Sequence, residues 1–177
     1  MQDFEFMSPT QFVFGRAAEK KVGAKLAERG ARKVLVHFGG HSARKSGLLD
    51  RVCASLDDAG IEHVELGGVR PNPEITLVRE GVALCKKEGV DWVLAVGGGS
   101  VIDSAKAIAN GACIDEDVWE LFMTKKPNST VLPIAVVLTI PAAGSEASKN
   151  TVVSNDELGM KTGYGNEHQR PKLAFMN

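Results

Sequence analysis

The chain has 177 residues, with 21 Lys plus Arg against 22 Asp plus Glu, and so a formal net charge of -1. Hydrophobic residues make up 44% and charged residues 24%, which excludes disorder, a state that pairs few apolar side chains with high net charge. The near-neutral balance supplies no basic surface for nucleic acid, and the length suits one domain with a full core.

Thr10 to Phe14 is β-branched and aromatic and predicts a short strand. Residues 17–29 predict a helix with Val22 and Leu26 on one face, ended by Gly30. Val34-Leu35-Val36-His37-Phe38, bounded by Gly39-Gly40, has the pattern of a strand buried on both faces. A helix is expected from about Ala43 to Ala59, then a strand over His63 to Leu66. Asn72-Pro73-Glu74 opens the next helix, with Asn72 as its N-cap and Gly89 at its end. Trp92 to Val96 predicts another buried strand, followed by Gly97-Gly98-Gly99-Ser100 and a helix from Val101 to about Ala112. Val131 to Ile140 predicts one more buried strand, and Ala143 to Glu146 a turn. Thr151 to Ser154 and Lys172 to Met176 are expected as strands of antiparallel character, with a loop or hairpin over 155–170. Strands that alternate with helices and read as continuous apolar runs imply an α/β fold. The expected architecture is a doubly wound, mostly parallel Rossmann-like sheet with helices on both faces.

Cys53, Cys85 and Cys113 are widely spaced, with no CxxC pair. That spacing argues against a disulfide framework and for a reducing compartment. The opening Met1-Gln2-Asp3-Phe4-Glu5 is acidic and lacks the apolar run of a signal peptide. No run reaches the ~20 apolar residues that span a bilayer. The expectation is a cytoplasmic, soluble chain without a membrane partner.

The turn Gly97 to Ser100 is the sharpest chemical feature. Glycines at a strand-to-helix turn let backbone approach a ligand without Cβ obstruction, and the helix start offers free N–H groups to a phosphate. Ser100 adds a hydroxyl donor or caps the helix. Asp103, one turn later, complements the helix dipole or faces the ligand. The spacing is not GxGxxG. Gly39-Gly40-His41-Ser42 is a second glycine-rich strand end, and two such ends in one sheet suit an extended ligand such as a dinucleotide. No Asp or Glu occurs between Val34 and Gly47, whereas Arg44 and Lys45 are close by. That composition favours NADP(H) over NAD(H), since an acid there would repel a 2′-phosphate. His37 and His41 straddle a strand end, so their spacing does not make a metal pair.

These residues together carry a family resemblance. Pro9 to Gly15, Pro71-Asn72-Pro73, Gly97 to Asp103 and Leu138-Thr139-Ile140-Pro141-Ala142-Ala143-Gly144-Ser145-Glu146 stand in family order and resemble the iron-containing (group III) alcohol dehydrogenases, nearest their NADPH-dependent butanol dehydrogenase and aldehyde reductase branch. The resemblance implies that Gly40 and Ser42 meet the adenosine ribose and its 2′-phosphate, that Gly97, Gly98, Gly99 and Ser100 hold the pyrophosphate, and that Asp103 supports their helix. It places Thr139 beside the cofactor and Lys161 near the nicotinamide ribose, with Ser148 at a position where relatives carry a small polar residue. For Asn72 it implies a cofactor contact, which N-capping explains equally well. It implies further that residues 1–177 are the dinucleotide-binding domain, and that the helical domain binding the catalytic Fe²⁺ or Zn²⁺ falls after residue 177. The expected function is the NADP(H)-binding half of an alcohol–aldehyde oxidoreductase. The alternatives are a non-catalytic nucleotide-binding module and an assembly role without cofactor. An apolar face left for the second domain would promote homo-oligomers.

Overall fold

A computed structural model describes residue 3 and residues 7–177 of the chain. Apart from Asp3, the acidic opening lies outside them. Six parallel strands form one sheet: β1 (Gln11–Phe14), β2 (Lys33–Phe38), β3 (Glu62–Leu66), β4 (Trp92–Gly97), β5 (Ile134–Leu138) and, beyond an antiparallel pair β6 (Asn150–Asn155) and β7 (Met160–Gly165), β8 (Leu173–Met176). The spatial order is β1-β8-β5-β4-β2-β3.

Because side chains alternate along each strand, the central strands feed two cores. Leu35, Val93, Ala95, Ile134 and Val136 point to one face. That face is covered by α4 (Ile75–Glu88), α5 (Gly99–Gly111) and α6 (Trp119–Thr124), and Val153 and Tyr164 of the β6–β7 pair close it. Val34, Val36, Leu94, Val96 and Val137 point to the other. There they meet α1 (Val22–Ala27), α2 (Ser42–Lys45) and α3 (Leu48–Asp58). Helices on both faces of a parallel sheet make this a doubly wound, Rossmann-like α/β fold. The continuous apolar runs of β2 and β4 follow from burial on both sides.

Local physics accounts for four departures from the sequence reading. The helix expected from Ala43 to Ala59 is two helices, because Gly47 takes a left-handed φ of 68° between them. The helix expected over 17–29 begins as a 3-10 turn at Ala18–Lys21. Asn72 is not an N-cap: it is itself left-handed (φ 58°), and residues 73–74 run extended along β6. The Ser154 N–H donates to the Pro73 carbonyl at 2.9 Å, and Glu74 bridges Ser154, so α4 starts only after Glu74. Finally, residues 173–176 are not antiparallel. They insert as β8 between β1 and β5, parallel to both, and only β6 and β7 pair antiparallel.

Candidate functional site

Strand β2 is followed by β3 on one side, whereas β4 is followed by β5 on the other. The chain therefore reverses its winding between the adjacent strands β2 and β4, and in open α/β sheets ligands collect at the carboxyl ends flanking such a point. Phe38 of β2 pairs with Val96 of β4, so Gly39-Gly40 and Gly97-Gly98 leave the sheet side by side. The two glycine-rich strand ends noted in the sequence line one crevice.

The β4–α5 turn is built around Gly98, the N-cap of α5, whose carbonyl accepts from the N–H groups of both Val101 and Ile102 at 3.1 Å. Gly99 and Ser100 form the first helical positions, so their N–H groups precede any intrahelical acceptor. Ser100 is inside the helix and does not cap it.

The glycines divide by cause. A Cβ on Gly97 would sit 2.5 Å from Val101 Cγ2, so packing alone demands glycine there. On Gly99 and Gly40 a Cβ would meet nothing within 4 Å, and on Gly98 only Ile140 Cβ at 3.9 Å. None of those three has a positive φ. Neither packing nor backbone conformation requires glycine at Gly40, Gly98 or Gly99; open space outside the fold lies where their side chains would go.

The remaining predicted residues fall into two groups. Ser42 (the first residue of α2), Thr139, Asn72 and Lys161 are exposed. Thr139 donates its N–H to the Gly97 carbonyl at 3.1 Å and extends β5 beside the glycine turn. Lys161 on β7 donates from Nζ to Asn72 Oδ1 at 2.6 Å, which joins two residues 89 positions apart. A cleft lined by Ser46, Leu48, Arg51, Thr139 and Phe175 opens at the same end of the sheet.

Asp103 and Ser148 point inward. Asp103 Oδ1 accepts from the Ser145 hydroxyl at 2.7 Å and Oδ2 from the Val152 N–H at 3.1 Å; its carbonyl accepts from the Thr151 hydroxyl. The carboxylate therefore clamps α5 to the 145–152 segment. Burial raises its pKa, while Ser145, Lys106 and Val152 oppose the rise. Ser148 Oγ accepts from Lys106 Nζ at 3.2 Å.

Lys106 stands in no motif of the sequence. It is fully buried and donates to the Ser145 carbonyl at 2.8 Å and the Asn150 carbonyl at 2.9 Å. Desolvation pulls its pKa down to about 8 against the attraction of Asp103. The available signal was its place in α5, where residues 101–111 are buried on nearly every side except at Asp103.

His37 lies inside β2, as the apolar run Val34–Phe38 predicts, and is wholly buried. Its Nδ1 meets the Leu66 carbonyl and its Nε2 the Ser104 hydroxyl, both at 2.8 Å. It ties β2 to β3 and to α5, and it is not a ligand. Arg44 differs from expectation. Its guanidinium lies 5.0 Å from the centre of the Phe38 ring, and Nη2 donates to Glu65 Oε2 at 2.6 Å. A carboxylate does reach the Gly40–Lys45 region, from β3 rather than from the loop itself.

A model of the family "Iron-containing alcohol dehydrogenase" matches residues 9–177. The chain belongs to that family. Over its whole length it is 42% identical to a probable NADH-dependent butanol dehydrogenase of Bacillus subtilis, covering 46% of that protein. It is 34% identical to an NADPH-dependent aldehyde reductase of Escherichia coli, again over its whole length and 46% of the relative. The crystal structure of NADH-dependent butanol dehydrogenase A from Thermotoga maritima superposes with a TM-score of 0.96 at 45% identity, over all of this chain and 44% of that one. The chain thus spans under half the length of these relatives. The family includes both NADH- and NADPH-dependent dehydrogenases. No helix among the described residues is long and apolar enough to cross a membrane.

Proposed function

We propose that residues 1–177 bind a nicotinamide dinucleotide across the β2–β4 crevice and form the cofactor half of an oxidoreductase interconverting alcohols and aldehydes. One observation carries this reading: Gly40, Gly98 and Gly99 leave open the space that Cβ atoms would fill, at the point where the winding reverses and the helix α5 begins. A pyrophosphate fits that space. Its oxygens accept from the N–H groups of Gly99 and Ser100, and the helix dipole favours its charge. Gly97 and Asp103 act behind it, through close packing and the clamp on α5. The adenosine ribose extends towards Gly40 and Ser42, with the cleft beside Thr139 open to the adenine ring. The nicotinamide ribose lies towards the Asn72–Lys161 pair, and Ser148 holds Lys106 beneath the loop without meeting the cofactor.

The cofactor supplies hydride chemistry when bound; this chain binds and orients it. The family's iron does not fit the residues present at the crevice. Among the described residues, the single convergence of three metal-capable side chains is Cys53, His63 and Glu65 on α3 and β3.

For the form of the cofactor, the absence of an acid in the Gly39–Lys45 loop, with Arg44 and Lys45 at hand, supports NADP(H). The second reading, NAD(H), rests on the Arg44–Glu65 ion pair, which occupies the nearest guanidinium. Fluorescence titration of the chain with NADH and with NADPH tests both. Saturable binding of either supports the dinucleotide reading, and no binding of either refutes it. Tighter NADPH binding that Arg44→Ala abolishes supports the 2′-phosphate assignment; tighter NADH binding refutes it.

A further inference from the structure

Away from the glycine turns, α3 and the edge strand β3 bring three donor groups together, with one further acid beside them. Cys53 and Asp57 are four residues apart on α3, and therefore share one helix face. His63 and Glu65 are two apart on β3, and therefore share one strand face. The two pairs meet. Donor atoms of Cys53, His63 and Glu65 all lie within 4.8 Å of one another. Cys53 Sγ is 3.9 Å from Glu65 Oε1, and His63 Nδ1 is 3.4 Å from Asp57 Oδ1.

The Cys53–Glu65 separation is long for a hydrogen bond, yet it suits two ligands of one ion. A tetrahedral zinc with its usual bond lengths holds sulfur and oxygen about 3.6 Å apart. Burial pushes the Cys53 thiol up to about 11, and the nearby Glu65, Asp57 and Asp50 act the same way against Arg44. Arg44 need not be displaced. It engages Glu65 through Oε2, whereas Oε1 faces Cys53. A carboxylate bound through one oxygen and steadied by a guanidinium on the other has the outer-sphere support that metal sites use.

We propose that Cys53, His63 and Glu65 form a zinc site on the β3 edge, with Asp57 beside the His63 ring as an outer carboxylate. The mixed sulfur, nitrogen and oxygen set selects a borderline-soft ion such as Zn²⁺ over Mg²⁺ or Ca²⁺. On binding, the Cys53 S–H bond breaks, its proton goes to solvent and a Zn–S bond forms, with no change of oxidation state.

The test is an anaerobic titration of the reduced, metal-free 177-residue chain with Co²⁺ as a spectroscopic probe. One equivalent should saturate a thiolate-to-cobalt charge-transfer band, and Zn²⁺ should bleach it. Cys53→Ser should abolish the band, and His63→Gln should weaken cobalt affinity about tenfold or more. The double variant Cys85→Ser/Cys113→Ser should keep the band. No band in the unmodified chain, or a band that survives Cys53→Ser, overturns the proposal. If circular dichroism shows that Cys53→Ser is misfolded, unchanged cobalt affinity in His63→Gln overturns it instead.

Discussion

Acidification should destabilise the fold through His37. The imidazole is buried in β2, donating from Nδ1 to the Leu66 carbonyl and accepting at Nε2 from Ser104. Burial lowers its pKa from 6.5 to about 4, and the Leu66 hydrogen bond only partly resists that shift. Well above pH 6.5 the ring is neutral in both folded and unfolded chains and contributes no pH dependence. Below it, the unfolded chain takes up a proton that the folded chain refuses, so stability falls with pH until about pH 4. One proton corresponds to about 1.4 kcal/mol per pH unit, and the whole interval to about 3 kcal/mol, a large part of the ~5–15 kcal/mol of a typical domain. Urea unfolding at a series of pH values, followed by the emission of the buried Trp92 and Trp119, measures it. Carboxylates titrate in the same range, so the comparison is with His37→Leu, whose slope should be shallower by about one proton. Identical slopes in the two proteins would refute the assignment.

Other perturbations separate packing from binding. Gly97→Ala should cost about 1–3 kcal/mol in chemical unfolding, because the new methyl collides with Val101 and the β4–α5 turn has to shift. Asp103→Ala should cost about 1–3 kcal/mol by freeing Ser145 and Val152, and amide exchange at Val152 should accelerate. Lys161→Met should leave stability within about 0.5 kcal/mol, since the Asn72 pair is exposed, while dinucleotide affinity measured by fluorescence falls.

Much of the fold was legible because it rests on local physics. The runs Val34–Phe38 and Trp92–Val96 could be read as buried strands from their apolar continuity, and Gly89 closes α4 in the left-handed conformation expected of a helix-ending glycine. What was hidden depends on distant partners. Nothing in residues 173–176 states that they will enter the sheet between β1 and β5. Asn72 has the composition of an N-cap, but the bridge from β6 holds the following residues extended. Asp103 stands where a ligand-facing acid could stand, and only the position of Ser145 and Val152 shows that it faces inward. The loop around Gly40 carries no acid of its own, and Glu65 arrives there from the neighbouring strand. The glycine turn was legible as a motif, but the reason for each glycine emerged only from the space around it.

That space gives the most direct test of the dinucleotide site. Gly99→Ala places a methyl where the fold has room, at the first position of α5 and without a positive φ. Measured side by side, the variant should unfold at the same urea concentration as the unmodified chain or higher, while its affinity for the reduced dinucleotide falls about tenfold or more, about 1.4 kcal/mol. Unchanged affinity in a fully folded Gly99→Ala chain would contradict the placement of the pyrophosphate at the start of α5.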